Sequence, residues 1–87
     1  MYRIFIKKRI FKNIEKLPFT IQQKLAVLID HLEKMGPFQY EWPNFSRIGE
    51  NRYHCHLSKK WVACWQCEKE SLTIEVYYAG SRENAPY

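Results

Sequence analysis

A short stretch in the second half of the chain carries residues that could bind a phosphate and move protons around it. Within Arg52–Leu57, which has the sequence RYHCHL, polar and apolar residues alternate with a period of two. This alternation is typical of a strand with one solvated face and one buried face. The solvated face would carry Arg52, His54 and His56. Two imidazoles that titrate near neutral pH would then lie beside fixed positive charge on one rigid element.

The cysteines suggest zinc binding as an alternative use of the same region. Cys64 and Cys67 have the C-x-x-C spacing of zinc ligands, and Cys55 with the two nearby histidines could complete the set. In an unbroken strand, however, Cys64 and Cys67 point to opposite faces because their positions differ by an odd number. A zinc site would therefore require a bulge or turn near Gln66. We expect no metal and no cofactor.

The composition favours a single folded domain, residues 1–87, with an anionic partner. Of the 87 residues, 46% are apolar and 16% are aromatic, which is too apolar for a disordered chain. The net charge of +5 favours nucleic acid or an acidic protein segment, although the same charge could serve solubility alone. The sequence shows no secretory signal pattern and no apolar run of about 20 residues. We expect a cytoplasmic protein with reduced thiols and no membrane association.

The first half of the chain predicts a strand followed by two helices. Tyr2–Ile6 alternates apolar and other residues as a strand does. Ile10–Leu17 carries one apolar stripe at helical spacing, and the apolar seam of Phe19–Met35 predicts a longer second helix. Thr20 and Gln23 have the spacing of a capping box at the start of that helix. The very short connection between the helices implies an antiparallel hairpin.

The second half predicts three strands after an irregular loop rich in aromatic residues. The loop covers Phe38–Gly49 and shows no clear period. Strands are expected at Asn51–Ser58, Trp61–Cys67 and Leu72–Ala79, and the short turns between them imply antiparallel hairpins. The last segment, Gly80–Tyr87, is too polar and turn-rich for a strand.

These elements predict an α+β domain with the order β-α-α-β-β-β. The two-helix hairpin would pack on one face of a small, mostly antiparallel, four-stranded sheet. Period two assigns Tyr53, Cys55 and Leu57 to the helix side. The arginine and both histidines of the same strand would remain on a face open to solvent.

The order of these elements, together with the basic open face, resembles the RelE/ParE superfamily of bacterial toxins from toxin–antitoxin pairs. The segments Arg52–Leu57, Trp61–Trp65 and Ile74–Tyr87 are similar to a RelE-type branch of cytotoxic translational repressors, and the run Gly80–Tyr87 is the most specific part. The resemblance implies a RelE-like fold and cleavage of messenger RNA in the decoding site of the ribosome. It also implies a cognate antitoxin that neutralises the toxin in a type II hetero-oligomer.

The resemblance also implies roles for individual residues by position. In RelE-type toxins, basic residues of the second strand, arginines of the third and last strands, and a C-terminal tyrosine hold and cleave the RNA. The second-strand positions are occupied here by Arg52, His54, His56, Lys59 and Lys60, the last-strand position by Arg82 and the C-terminal position by Tyr87. Catalytic roles are therefore predicted for His54, His56, Arg82 and Tyr87. RNA or phosphate binding is predicted for Arg52, Lys59, Lys60, Lys7, Lys8 and Arg9.

The implied substrate allows a reaction that needs no metal ion. The 2′-hydroxyl of RNA can attack the adjacent phosphate and expel the 5′-oxygen, which requires a base, an acid and cationic stabilisation of the phosphate. His54 and His56 would lie about 6.5–7 Å apart between Cα atoms, so they could act as base and acid in either order. Arg52 and Arg82 would clamp the phosphate. Tyr87 would stack on a base or carry a proton.

Two departures from the RelE pattern keep other functions open. The third predicted strand, Trp61–Cys67, contains no arginine, and relatives in this branch often carry histidine where this chain has Arg82. One alternative is a ParE-like inhibitor of DNA gyrase on the same fold, which needs no pair of proton carriers. The other is a catalytically inactive toxin homologue that only binds a partner.

Overall fold

Two helices and five strands follow one another in the computed structural model, which describes residues 1–87. The elements are β1 Arg3–Phe5, α1 Lys8–Glu15, α2 Phe19–Met35, β2 Ser46–Gly49, β3 Arg52–His56, β4 Trp61–Gln66 and β5 Thr73–Ser81, followed by a 3-10 turn at Arg82–Asn84. The strands form one sheet in the order β1-β5-β4-β3-β2. Only β1 and β5 pair in parallel. The predicted α+β class with a mostly antiparallel sheet is confirmed.

The sheet has one strand more than the sequence predicts, because Ser46–Gly49 forms a strand within the segment predicted as a loop. This short strand pairs only with β3, at the edge of the sheet. Its register shifts between Arg47 and Gly49, so its side chains cannot follow a clean period of two. Asn51, which has a φ of 61°, lies in the turn that leads into β3. Backbone pairing with β3, and not side-chain patterning, defines this strand.

The last strand also extends further than predicted. β5 continues through Gly80 and Ser81, which pair with Val62 and Trp61 of β4. Polar, turn-prone residues are held in the ladder there because an already formed neighbour supplies the hydrogen-bonding partners. This extension carries the chain to the end of the sheet that bears the candidate site.

The long helix has its predicted bounds but not its predicted cap. The capping box of Thr20 and Gln23 is wrong, since both residues lie inside α2 and the N-cap is Pro18, with no capping side chain. The backbone N–H groups of Ile21 and Gln22 instead donate to the Pro18 carbonyl at 2.9 and 3.0 Å. The shorter helix α1 begins and ends two residues earlier than predicted.

The helices cover one face of the sheet and enclose the core. Fourteen buried residues form a single apolar cluster that joins α2 to β3, β4 and β5. From α2 this cluster takes Ile21, Leu25, Leu28 and Leu32. From the sheet it includes Tyr53, Cys55, Ala63, Trp65, Ile74 and Val76, and Leu57 directly after β3 also belongs to it. The prediction that Tyr53, Cys55 and Leu57 face the helices is confirmed. Neither helix is long and apolar enough to cross a membrane.

Candidate active site

The sheet face opposite the helices carries most of the residues that could do chemistry. Residues opposite one another on paired strands share a face. Three such rows cross this face from β3 through β4 to β5, namely Arg52–Gln66–Glu75, His54–Cys64–Tyr78 and His56–Val62–Gly80. The register shifts beside Cys64, which leaves Tyr77 as an extra residue in β5. The Tyr77 side chain lies beside the Cys64 thiol on this face.

His54 lies on this face but is not open to solvent, so this part of the prediction is wrong. Only 7% of the residue is exposed. The Tyr87 ring covers it, with 4.4 Å between the ring centroids, and the His56 ring lies 5.7 Å away. Ser46 of β2 lies beside it, with its Oγ 3.0 Å from His54 Nδ1. The C-terminal segment and the unpredicted strand therefore bury a residue that period two alone left exposed.

Both histidines of β3 are held in the neutral form near pH 7. Burial lowers the pKa of His54 below its ordinary 6.5, and a hydrogen bond with the Ser46 backbone partly opposes this effect. The pKa of His56 is also lowered, first by partial burial and then by the positive charge of Arg82. A neutral imidazole can accept a proton, so the more exposed His56 can serve as a base on this face.

Arg82 is carried to the site by hydrogen bonds that fix the end of β5. Its backbone N–H donates to the Lys60 carbonyl at 2.7 Å, which ties the C-terminal segment to the turn between β3 and β4. Tyr78 Oη donates to the Ser81 carbonyl at 2.7 Å, and Ser81 Oγ accepts from the Asn84 N–H and caps the 3-10 turn. The guanidinium of Arg82 thereby reaches the neighbourhood of His56.

A glycine is required for this arrangement. The Tyr78 side chain lies directly over Gly80 on its way to Ser81. A Cβ atom added at Gly80 would lie 2.9 Å from Tyr78 Oη, closer than carbon side chains approach. Any larger residue at this position would push Tyr78 away from the Ser81 carbonyl and loosen the turn that carries Arg82.

Tyr87 places a proton donor next to His54. Burial raises the pKa of its phenol above 10, while the nearby Arg82 charge works in the opposite direction. The phenol therefore keeps its proton at neutral pH. Because 53% of the residue is exposed, it can also meet a ligand from solvent.

The predicted phosphate-binding residues form two groups at opposite ends of β3. Lys59 and Lys60 line an open groove of about 590 Å³ together with Arg82. Lys7, Arg9 and Arg52 line a smaller pocket of about 220 Å³ at the other end, where Lys7 Nζ lies 3.9 Å from Glu75 Oε2. Lys8 is exposed at the start of α1 and lines neither of these cavities. The two histidines lie on β3 between these groups. Arg82 lines the groove of the two lysines, and Tyr87 contacts His54.

The cysteines do not come together as metal ligands. Cys55 and Cys67 belong to the helix-side core, whereas Cys64 lies on the opposite face. No group of three or more histidine, cysteine or acidic side chains is close enough to hold a metal ion. Burial raises the pKa of both Cys55 and Cys64 to about 12, so these thiols stay protonated and unreactive.

Sequence reasoning missed Ser46, Tyr77 and Tyr78 as parts of this site. Ser46 lies on a strand without a period, so no local pattern marks it. Tyr77 and Tyr78 both contribute to this face only because of the bulge in β5, which the predicted alternation of β5 does not include. The signal that could have found the two tyrosines is the break in apolar alternation between Val76 and Ala79.

Comparison with known proteins places this geometry in a known fold. No family model and no curated protein sequence matches the chain. A chain of the archaeal RelE–RelB complex from Pyrococcus horikoshii superposes with a TM-score of 0.75 at 17% identity, over 97% of this chain and 98% of that one. The isolated E. coli RelE toxin gives 0.75 at 18% identity, over 99% and 89% of the two chains. The chain has the RelE/ParE toxin fold.

The same fold also includes more distant neighbours. The YoeB/ParE toxin from Agrobacterium tumefaciens matches with a TM-score of 0.75 at 7% identity, over 92% of this chain and 98% of that one. Proteins of the RelE/ParE fold thus keep the backbone while their side chains diverge widely. At such identities the likeness concerns the fold, and the chemistry must be argued from this chain's own residues.

Proposed function

We propose that this protein is the toxin of a type II toxin–antitoxin pair and cleaves messenger RNA on the ribosome without a metal ion. The observation that supports this most is the meeting of three complementary groups on one sheet face. His56 is neutral and partly exposed, Arg82 lies close enough to lower its pKa, and Tyr87 is protonated and exposed. A base, a fixed cation and a proton donor are the groups that cleavage by the 2′-hydroxyl requires.

In the proposed reaction His56 takes the proton of the 2′-hydroxyl. The oxygen attacks the adjacent phosphorus, and Arg82 stabilises the negative charge that grows on the phosphate oxygens. The bond to the 5′-oxygen breaks as Tyr87 donates its proton to that oxygen. The products are a 2′,3′-cyclic phosphate and a 5′-hydroxyl end. Imidazolium and phenolate then return to their starting forms by proton exchange with water.

The two basic groups would bind the RNA on either side of the reacting phosphate. Arg52 and His56, at the two ends of β3, are about 13 Å apart by strand rise, and the lysines of the following turn extend this row. Lys59 and Lys60 lie near the reacting groups, and Lys7, Arg9 and Arg52 would hold the strand further along. Lys8 would add to the attraction for phosphate through its charge alone.

The proposed partners follow from the same function. A cognate antitoxin would bind the toxin and hold it inactive in a hetero-oligomer, and the ribosome would present the message. The net charge of +5 suits both an acidic antitoxin segment and ribosomal RNA. The likeness to a chain of a RelE–RelB complex supports the antitoxin as partner, and the cytoplasm is the compartment where message and ribosome meet.

The decisive experiment combines purified protein with ribosomes programmed with a defined message. Cut messages should carry 2′,3′-cyclic phosphate and 5′-hydroxyl ends, and a 2′-O-methyl group at the cut nucleotide should abolish cutting there without shifting binding. Message without ribosomes is the matched control. DNA gyrase is assayed in parallel, since loss of supercoiling with intact messages would support the ParE-like alternative. If neither messages are cut nor supercoiling is lost, the remaining function is that of an inactive homologue that only binds a partner.

A further inference from the structure

We propose that Ser46 is a positioning residue that locks the ring of His54, and that His54 in turn holds Tyr87 in place and exchanges no proton with RNA. The inference deepens the proposed function and rests on it for its consequences in catalysis. It assigns different tasks to the two histidines of β3. It also gives a task to a strand that the sequence did not predict.

The contact between Ser46 and His54 is set by the register of the sheet. The two residues are direct partners in the antiparallel pair of β2 and β3. Direct partners have Cβ atoms about 4.5–5.5 Å apart and project to the same face. The serine hydroxyl therefore reaches the near nitrogen of the imidazole, with 3.0 Å between Oγ and Nδ1. A shift of β2 by one residue would turn Ser46 to the opposite side and break the contact.

This contact fixes the orientation of the neutral ring. A neutral imidazole has one N–H and one bare nitrogen, and a serine hydroxyl can donate to one or accept from the other. Ser46 Oγ therefore holds the Nδ1 side of the ring whichever nitrogen carries the proton. Rotation of the ring by half a turn would place a carbon atom opposite the hydroxyl and lose the hydrogen bond.

The orientation of His54 matters because Tyr87 rests on it. The two rings are in contact, with centroids 4.4 Å apart and planes tilted by 53°. Only 7% of His54 is exposed, so RNA cannot reach its ring while Tyr87 is in place. His56 is the more accessible of the two imidazoles and the one beside Arg82. The geometry thus gives His56 the contact with RNA and His54 the support of Tyr87.

The test uses Ser46→Ala with Ser46→Thr as the matched control, because threonine keeps the hydroxyl. Long-range proton–nitrogen spectra of the isolated protein report the ring nitrogens of each of its three histidines, and His54→Asn assigns the His54 signals. In the native protein the His54 ring should show one set of signals and a contact with the Tyr87 ring. Ser46→Ala should shift the His54 nitrogen signals and weaken the contact with the Tyr87 ring, whereas Ser46→Thr should resemble the native protein.

Cleavage by programmed ribosomes gives the second measurement. Ser46→Ala should lower kcat about tenfold with KM nearly unchanged, and Ser46→Thr should restore it. A native protein without contact between the His54 and Tyr87 rings, or a His54 spectrum that Ser46→Ala leaves unchanged, would overturn the inference even if RNA is cut. The spectra also separate the two proposals: a protein whose His54 spectrum depends on Ser46 as expected but that cuts no RNA would contradict the proposed function and leave the ring lock standing.

Discussion

The two faces of the sheet differ in what covers them. On the helix side, β3 and β4 bury Tyr53, Cys55 and Trp65 under α2 in one continuous apolar core. On the opposite side, His54 is covered by Tyr87 at the end of the chain and contacts Ser46 of an edge strand. One strand with a period of two supplies both faces. The apolar core and the candidate active site therefore lie on opposite sides of the same backbone, so substitutions should separate their effects.

The largest expected effect lies on the helix side. Trp65 is fully buried, and its Nε1–H donates to the Pro37 carbonyl at 3.0 Å. Trp65→Ala should lower the free energy of unfolding by about 3–5 kcal/mol, because it leaves a cavity and an unpaired carbonyl. Denaturant unfolding measures the loss. Trp42→Ala, at the partly buried edge of the core, is the control and should cost less. Equal losses for the two variants would mean that the core is not centred where the structure has it.

The next effect lies on the opposite side and concerns cleavage, while both variants should remain folded. His56→Ala should slow message cleavage by about 10²–10⁴-fold, the usual contribution of a group that transfers a proton. His54→Asn should slow it only about tenfold, since the amide can still hydrogen-bond to Ser46 although the ring under Tyr87 is lost. Single-turnover cleavage on ribosomes compares the two variants, and unfolding curves check that each remains folded. A larger loss for His54→Asn than for His56→Ala would reverse the roles of the two histidines.

The sequence predicts those features of the two faces that depend on local patterns of residues and misses those that depend on long-range contacts. The alternation of β3 correctly assigned Tyr53 and Cys55 to the helix side, and the seam of α2 correctly gave its bounds, because both are local patterns. The burial of His54 was not predictable in this way. It depends on Ser46, whose strand exists only through pairing, and on Tyr87, which arrives by way of a turn at the end of β5. Long-range contacts of this kind leave no period in the sequence.

A smaller effect should distinguish the two tasks proposed for Tyr87. Tyr87→Phe keeps a ring against His54 but removes the phenol, so cleavage should fall by about 10²-fold, the lower end of the range for a proton donor. Cleavage by Tyr87→Ala should fall further, because this substitution also exposes His54. Cleavage of a message with a better leaving group, a 5′-thio substitution at the cut site, should rescue Tyr87→Phe, since a thiolate leaves without protonation. Native-like cleavage by Tyr87→Phe would restrict the residue to stacking.

The smallest expected effect is a dependence of stability on pH that arises on the histidine side alone. Burial holds the pKa of His54 in the folded protein below its ordinary 6.5, so the unfolded chain binds more protons as the pH falls through 6.5. Stability should therefore decrease from pH 7.5 to pH 5.5, a window in which most carboxylates stay ionised. The groups that face His54 from neighbouring elements are Tyr87 and Cys64, which remain neutral throughout this window, and His56, which should add a weaker dependence of the same sign.

Denaturant midpoints at the two pH values measure the loss of stability, and His54→Asn should reduce this loss. An equal loss in that variant would place the titrating group elsewhere, and no loss in the native protein would mean that His54 is as solvated when folded as when unfolded.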